Sequence, residues 1–313
     1  VSSDIDKTNK DLRKAVALEK AKAQDETEVF ANDSKKKIYM HWMDDVPMGE
    51  QLDDDGDPLE SIEGCLTDAQ YNRDEHRKAV IDDILDNWVS QSHNGKFHAI
   101  LATSSIPEAI KYYKLFAQRD CGLKTTAVFD PSDGNNESSI EKIDGIAQML
   151  EDYNSLFGTC FNISGYASFK RDVCARLAHK TPYTAVENEP SKCLDILIVV
   201  DQMLTGYDSK WLNTLYMDKF YKWSNIEMII QAFSRTNRVF NDDKPHGIIR
   251  YYRRPYTMKN IIEYAFEQYS GQKPYGIFVA KLIQNLENMN AAFSDINDIF
   301  KIAGIPDFFK TSR

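Results

Sequence analysis

A chain of 313 residues that is 42% hydrophobic and 12% aromatic can bury a sizeable core and hold roughly two domains, which excludes disorder over most of its length. The five cysteines (Cys65, Cys121, Cys160, Cys174 and Cys193) show neither CxxC pairing nor dense clustering, which excludes a zinc ribbon and a disulfide framework. No apolar run is long enough to cross a bilayer and the start lacks the basic-then-apolar order of a signal peptide, so a cytoplasmic chain with no membrane partner is expected, and Val1 in place of Met suggests a partial or cleaved one.

Residues 1 to about 35 are charged, lysine-rich and helix-prone without a strongly apolar face, and read as a peripheral helix or tether. The apolar patch from Lys37 to Met43 reads as a short strand. After it comes the acidic run Asp53-Asp54-Asp55-Gly56-Asp57. Set against an EF-hand loop with Gly56 in sixth place, this run puts Gln51 first and Ile62 twelfth, where carboxylates are required, so it reads as an exposed acidic loop or linker and no metal site is assigned. Val80, Ile81, Ile84, Leu85 and Trp88 recur at helical spacing and predict an amphipathic helix from Glu75 to Trp88.

Strands and helices then alternate. Phe97 to Thr103 is a buried-strand run, and Ser104, Ser105 and Pro107 suit the start of a helix through Phe116. Lys124 to Phe129 predicts a second strand, followed by a turn-rich loop, Asp130 to Asn136, and helices at about 140–157 and 168–178. The strongest strand is Asp195 to Val200, a continuous apolar run that fits the centre of a parallel sheet covered on both faces. Thr214 to Met217 and Gly247 to Tyr252 predict two further strands, with a helix near Asn225 to Thr236 between them. This is a doubly wound α/β layout, whose ligands are expected at the carboxyl ends of the strands. From Ile261 the pattern turns helical, over Ile261 to Tyr269 and Ile277 to Phe300. The domains expected are 1–75, an N-terminal helix and strand with an acidic linker; 76–260, the sheet domain; and 261–313, the start of a helical region that looks truncated.

The charge of −10 is unevenly spread. Carboxylates crowd the stretch from Asp44 to Glu75, whereas between Ser224 and Asn260 seven cations face three carboxylates, which supports a local polyphosphate-facing surface beside the plainer reading of a solvated basic face. Within that segment lies Gln231-Ala232-Phe233-Ser234-Arg235-Thr236-Asn237-Arg238. On a helix Gln231, Arg235 and Arg238 gather on one face. Guanidinium groups there suit a triphosphate, because they stay charged and offer a planar fork of donors.

The order of strand, loop, short strand and arginine helix resembles the second RecA-like lobe of a superfamily 2 helicase. Val199 to Trp211, Leu215 to Lys219, Gln231 to Arg238 and Arg250 to Pro255 together closely resemble the motor (R) subunit of type I restriction enzymes, over roughly His76 to Gly271. The resemblance implies an α/β, RecA-like parallel sheet flanked by helices and followed by a partial helical region. It matches Phe97 to Ser105 with motif IV, Leu204 to Asp208 with motif V and Gln231 to Arg238 with motif VI.

Arg235 and Arg238 then resemble arginine fingers for the γ-phosphate of ATP, with Gln231 orienting them or sensing nucleotide. Thr205, Gly206 and Asp208 resemble the motif that couples nucleotide state to DNA, with Gly206 and Asp208 on the nucleotide side and Thr205 toward the DNA backbone. Thr103 and Ser104 are further DNA-backbone candidates. The resemblance also implies ATP and Mg2+ as cofactors, held mainly by a first RecA-like lobe. Double-stranded DNA, that first lobe, and specificity and methylation subunits are the implied partners, in translocation ahead of cleavage. No GxxxxGK[ST], no second acidic residue after Asp201 and no paired carboxylate-lysine nuclease site is found, so the chain alone is expected neither to hydrolyse ATP nor to cut DNA. The alternatives are a lobe of another superfamily 2 helicase or remodeller, and a non-catalytic RecA-like interaction module.

Overall fold

The apolar runs become five strands: β1 (His98–Thr103), β2 (Thr125–Val128), β3 (Ile196–Val199), β4 (Leu212–Asp218) and β5 (Ile248–Tyr251). In this computed structural model, which describes residues 2–119, 121–129, 139–200, 207–238, 240, 243–269, 294, 296 and 300, all five pair in parallel in the order β2-β3-β1-β4-β5. Every residue of β1, β3 and β4 is buried, as a sheet covered on both faces requires. The register sets two ends. His98 lies beside Leu212 at the amino end, and Thr103 beside Asp218 at the carboxyl end.

Helices flank this sheet. α5 (Asp74–Gln91) turns Val80, Ile81, Ile84 and Trp88 inward and packs against β4. α6 (Ile106–Gln118) starts where expected: Ser105 is the N-cap, its hydroxyl accepting from Glu108 N–H, with Pro107 in the first turn. It packs on β1, β2 and β3. α7 (Ser139–Phe157) and α8 (Tyr166–Leu177) follow β2, and α9 (Ile226–Ser234) joins β4 to β5. The turn-rich loop from Asp130 to Asn136 lies outside the described residues, as does most of the helix expected at 277–300.

The amino-terminal segment is helical up to about residue 35, as read, but it packs a core of its own and stays helical where a strand was expected. It forms α1 (Ser2–Lys20), α2 (Glu26–Phe30) and α3 (Asp33–Asp44), with a short α4 (Asp68–Tyr71) before the sheet domain. The patch expected as a strand at 37–43 is helical because Asn32 caps α3, accepting from Ser34 and Lys35 N–H groups, and Tyr39 and Trp42 fall one turn apart on its buried face. The helices are not strung out as a tether. Val16, Ala17, Val29, Tyr39, Trp42 and Ile62 share a small core, and Arg13 ties α1 to the Trp42 carbonyl at 3.0 Å. The acidic loop is closed by a Leu52–Pro58 bridge, and its Asp53 carboxylate accepts from the N–H groups of Asp55 and Asp57. α10 (Pro255–Tyr269) begins six residues earlier than the helical pattern suggested. Val1–Ile262 form one compact unit and Glu263–Arg313 a second.

Candidate functional site

α9 buries Ile229, Ala232 and Phe233 and ends at Ser234, with Arg235 as its C-cap. The helix is therefore shorter than the spacing implied, and Arg238 lies beyond it rather than on one helical face with Gln231 and Arg235. What stops it is a close approach. Thr236 is buried, its hydroxyl donating to the Phe233 carbonyl at 3.0 Å, and it presses on Gly247, where an added Cβ would stand 2.3 Å from the Thr236 Cβ and Oγ1. Gly247 thus fixes the end of α9 against the start of β5.

Beyond that contact the two arginines meet the segment 207–211 that leads into β4. Arg238 binds Asp208 through two bonds, Nε to Oδ1 at 2.9 Å and Nη2 to Oδ2 at 3.1 Å, and both side chains are well exposed, at 59% and 57%. Arg235 Nη1 donates to the Tyr207 carbonyl at 3.3 Å. Gln231 is exposed on α9. Thr205 and Gly206 lie outside the described residues.

Close in the chain to both partners of the Asp208–Arg238 pair stands an aromatic cluster. Trp211 packs against Phe240 with ring centroids 4.6 Å apart, and His179 stacks on Trp211 at 3.8 Å. The buried Lys244 donates to the Arg238 carbonyl at 2.7 Å and the Lys210 carbonyl at 3.3 Å, and burial pulls its ammonium down to about 8. Tyr207 Oη lies 3.1 Å from His98 Nε2. Burial, with His179 and Lys244 adding, holds His98 well below its ordinary value, so the ring is neutral at pH 7. All of these groups surround the first residues of β1 and β4. The arginines therefore sit at the amino end of the sheet, not at the carboxyl ends where ligands were expected, because α9 runs back across the sheet and delivers its last turn to the foot of β5.

The carboxyl end carries a different cluster. Thr103 is buried and its hydroxyl donates to the Val199 carbonyl at 3.0 Å, while Ser104 is half-buried. Asp218, the last residue of β4, accepts from Arg253 Nε and Nη2 at 3.0 Å each and from Tyr112 Oη at 2.9 Å, with His76 Nε2 at 2.7 Å. Burial alone raises its carboxyl, but His76 and Arg253 outweigh that and hold it below the usual carboxylate range. Beside it Arg77 grips the buried Glu108 with two bonds of 2.7 Å. Nothing in the spacing of residues 76, 218 and 253 pairs them in sequence.

This network also corrects the basic-surface reading of 224–260. Lys244 and Arg253 are buried, Arg250 binds Asp83 at 2.6 Å and Arg254 donates to the Leu66 carbonyl. With Arg235 on the Tyr207 carbonyl and Arg238 on Asp208, at least six of the seven cations thus have partners within the protein. Among the described residues no group of three or more His, Cys, Asp or Glu could hold a metal ion, and no helix is long and apolar enough to cross a membrane.

A parallel sheet in this strand order, flanked by helices and carrying an arginine pair at its foot, defines an α/β domain of the RecA-like class. The chain belongs to the family described as Type I restriction enzyme subunit R domain 3, which matches residues 95–254, about half of it. A Type I restriction enzyme endonuclease subunit of Staphylococcus saprophyticus is 32% identical over 213 residues, covering 65% of this chain and 22% of that protein. One from Staphylococcus aureus is 31% identical over 200 residues, 61% of this chain and 20% of the relative. The Type I restriction enzyme HindI endonuclease subunit of Haemophilus influenzae is 42% identical over 60 residues, 19% of this chain and 5% of that subunit. The chain spans about a fifth of the length of the two staphylococcal relatives.

Proposed function

We propose that this chain is the second RecA-like lobe of the R subunit of a type I restriction-modification enzyme, contributing arginine fingers to the ATP hydrolysis that drives translocation of double-stranded DNA before cleavage. The observation that carries this reading is the meeting of Asp208 and Arg238, thirty residues apart, beside Arg235 on the Tyr207 carbonyl. An exposed ion pair contributes only about 0–1 kcal/mol to stability, so folding alone gives little reason for so regular a two-bond geometry at the surface. A guanidinium fork parked on a carboxylate can exchange that partner for phosphate oxygens of matching geometry.

ATP with Mg2+, held mainly on the first RecA-like lobe, would supply the phosphoryl group whose developing charge needs stabilising. On this chain Arg235 and Arg238 donate N–H bonds to that charge, Asp208 orients Arg238 when it is withdrawn, and Gln231, one turn before Arg235, senses the closed cleft. Thr205 and Gly206 link this movement to the DNA backbone. At the carboxyl end of β1, Thr103 is occupied by Val199, which leaves Ser104 as the more accessible hydroxyl for a phosphate. Contacts of this kind follow the backbone and not base edges, so translocation is independent of sequence and weakens with salt. Target choice falls to the specificity and methylation subunits.

The test is displacement of a third DNA strand from a duplex by the full-length subunit assembled with those partners. ATP-dependent displacement that Arg238→Ala suppresses supports the motor reading. Displacement that proceeds equally in the variant contradicts it.

A further inference from the structure

Glu50, in the turn after α3, reaches two distant parts of the chain. Its backbone N–H donates to Thr257 Oγ1 at 3.0 Å and its carbonyl accepts from Asn260 Nδ2 at 2.9 Å, both in the first turns of α10. Its carboxylate accepts from the indole Nε1–H of Trp223 at 2.6 Å. The neighbouring residues make this docking close. A Cβ on Gly49 would stand 2.5 Å from the Tyr256 carbonyl carbon, and the carboxylate of Glu63, itself 2% exposed, accepts from the N–H groups of Tyr256 and Thr257 at 3.0 and 2.7 Å. Those two donors have no partner inside their own helix, so a carboxylate from nearly two hundred residues away takes the place of a local cap.

Trp223 opens the 3-10 turn Trp223–Asn225, which runs directly into α9. At the other end of α9, a helix of 9 residues and thus roughly 13 Å long, stands Arg235. The Glu50–Trp223 bond therefore holds one end of a short stiff rod whose other end delivers the arginine to Tyr207. A bond to an ionised acceptor is short and directional, which suits it to fixing an angle. Glu50 is held in turn by its own contacts to α10.

We infer that Glu50 is a positioning residue for the ATPase reaction, through which the amino-terminal helices set the orientation of α9 and hence of Arg235. The inference rests on the motor reading above. It is tested by steady-state ATP hydrolysis of the full-length subunit, assembled with its partners on target DNA, for Glu50→Ala, Glu50→Gln, Trp223→Phe and the double variant Glu50→Ala with Trp223→Phe, with Arg235→Ala alongside.

Small misplacements of a catalytic group lower turnover, so Glu50→Ala and Trp223→Phe should each lower kcat about tenfold with KM within about twofold. The double variant should be no worse than either single one, because both remove the same bond. Glu50→Gln keeps an acceptor oxygen and should restore most of kcat. Wild-type turnover in Trp223→Phe, which leaves the amino-terminal fold untouched, or losses that multiply in the double variant, would overturn the inference while leaving the motor reading intact. Wild-type turnover in Arg235→Ala would overturn both.

Discussion

Asp218 and Arg253 face each other with both carboxylate oxygens 3.0 Å from the guanidinium, and neither side chain reaches solvent. Strands β4 and β5 end here, so the pair ties the sheet to the start of α10. Removing Arg253 leaves the Asp218 charge buried with only His76 and Tyr112 as partners, and breaking a buried pair in this way costs up to about 3–5 kcal/mol. Arg253→Met should lower the unfolding free energy by about that much, and adding Asp218→Asn should cost less than the sum of the two single changes. Urea unfolding of the single and double variants measures it.

The same pair sets an acid limit. The Asp218 carboxyl lies below its ordinary value in the folded chain. Its contribution is therefore complete above the unfolded value near 3.9 and is lost as pH falls through the lower folded value. Unfolding midpoints taken from pH 6 down to pH 3 should fall more steeply for the wild type than for Asp218→Asn. Parallel curves would remove Asp218 from the acid transition.

Lys244 works in the opposite range. Its buried ammonium is pulled down to about 8, so between that value and the unfolded value near 10.4 the folded chain loses its proton while the unfolded chain keeps it. Stability from this residue rises with pH across that window. Lys244→Met should flatten the rise between pH 8 and pH 10, read from the same unfolding midpoints, and removes the donor to the Lys210 and Arg238 carbonyls.

Gly247→Ala places a methyl group 2.3 Å from Thr236 and 2.5 Å from its carbonyl oxygen. Backbone has to move, at about 1–3 kcal/mol, and what moves is the end of α9 beside Arg235. Thermal unfolding should register the loss, and turnover of the assembled enzyme should fall further than the stability change accounts for.

The sheet was largely legible because its strands are continuous apolar runs with turn residues between them. β1, β2, β3 and β5 lie within the predicted limits, and β4 extends beyond its predicted core. Short patches were not. Lys37 to Met43 carries too few residues to separate a two-residue from a 3.6-residue period, and the cap at Asn32 decides for helix. The arginines were legible as a motif but not in their placement. Helical spacing put Gln231, Arg235 and Arg238 on one face, whereas the Thr236–Gly247 contact ends the helix first and Asp208 takes over the positioning of Arg238. Local charge counts also misled over 224–260, since Lys244 is buried and the partners of Arg250, Arg253 and Arg254 lie elsewhere in the chain. Glu50 and Glu63 looked like two more members of an acidic linker. Their roles are fixed by contacts roughly two hundred residues away, which no periodicity records.

The central claim is that Arg235 acts on the phosphoryl group during ATP hydrolysis, and steady-state turnover of the full-length subunit, assembled with its partners on target DNA, tests it most directly. At saturating ATP, Arg235→Ala should lower kcat on the order of 10³-fold or more, and Arg235→Lys should recover little of it, because an ammonium lacks the guanidinium fork. Turnover within about twofold of wild type in a folded, DNA-bound Arg235→Ala assembly would contradict the account.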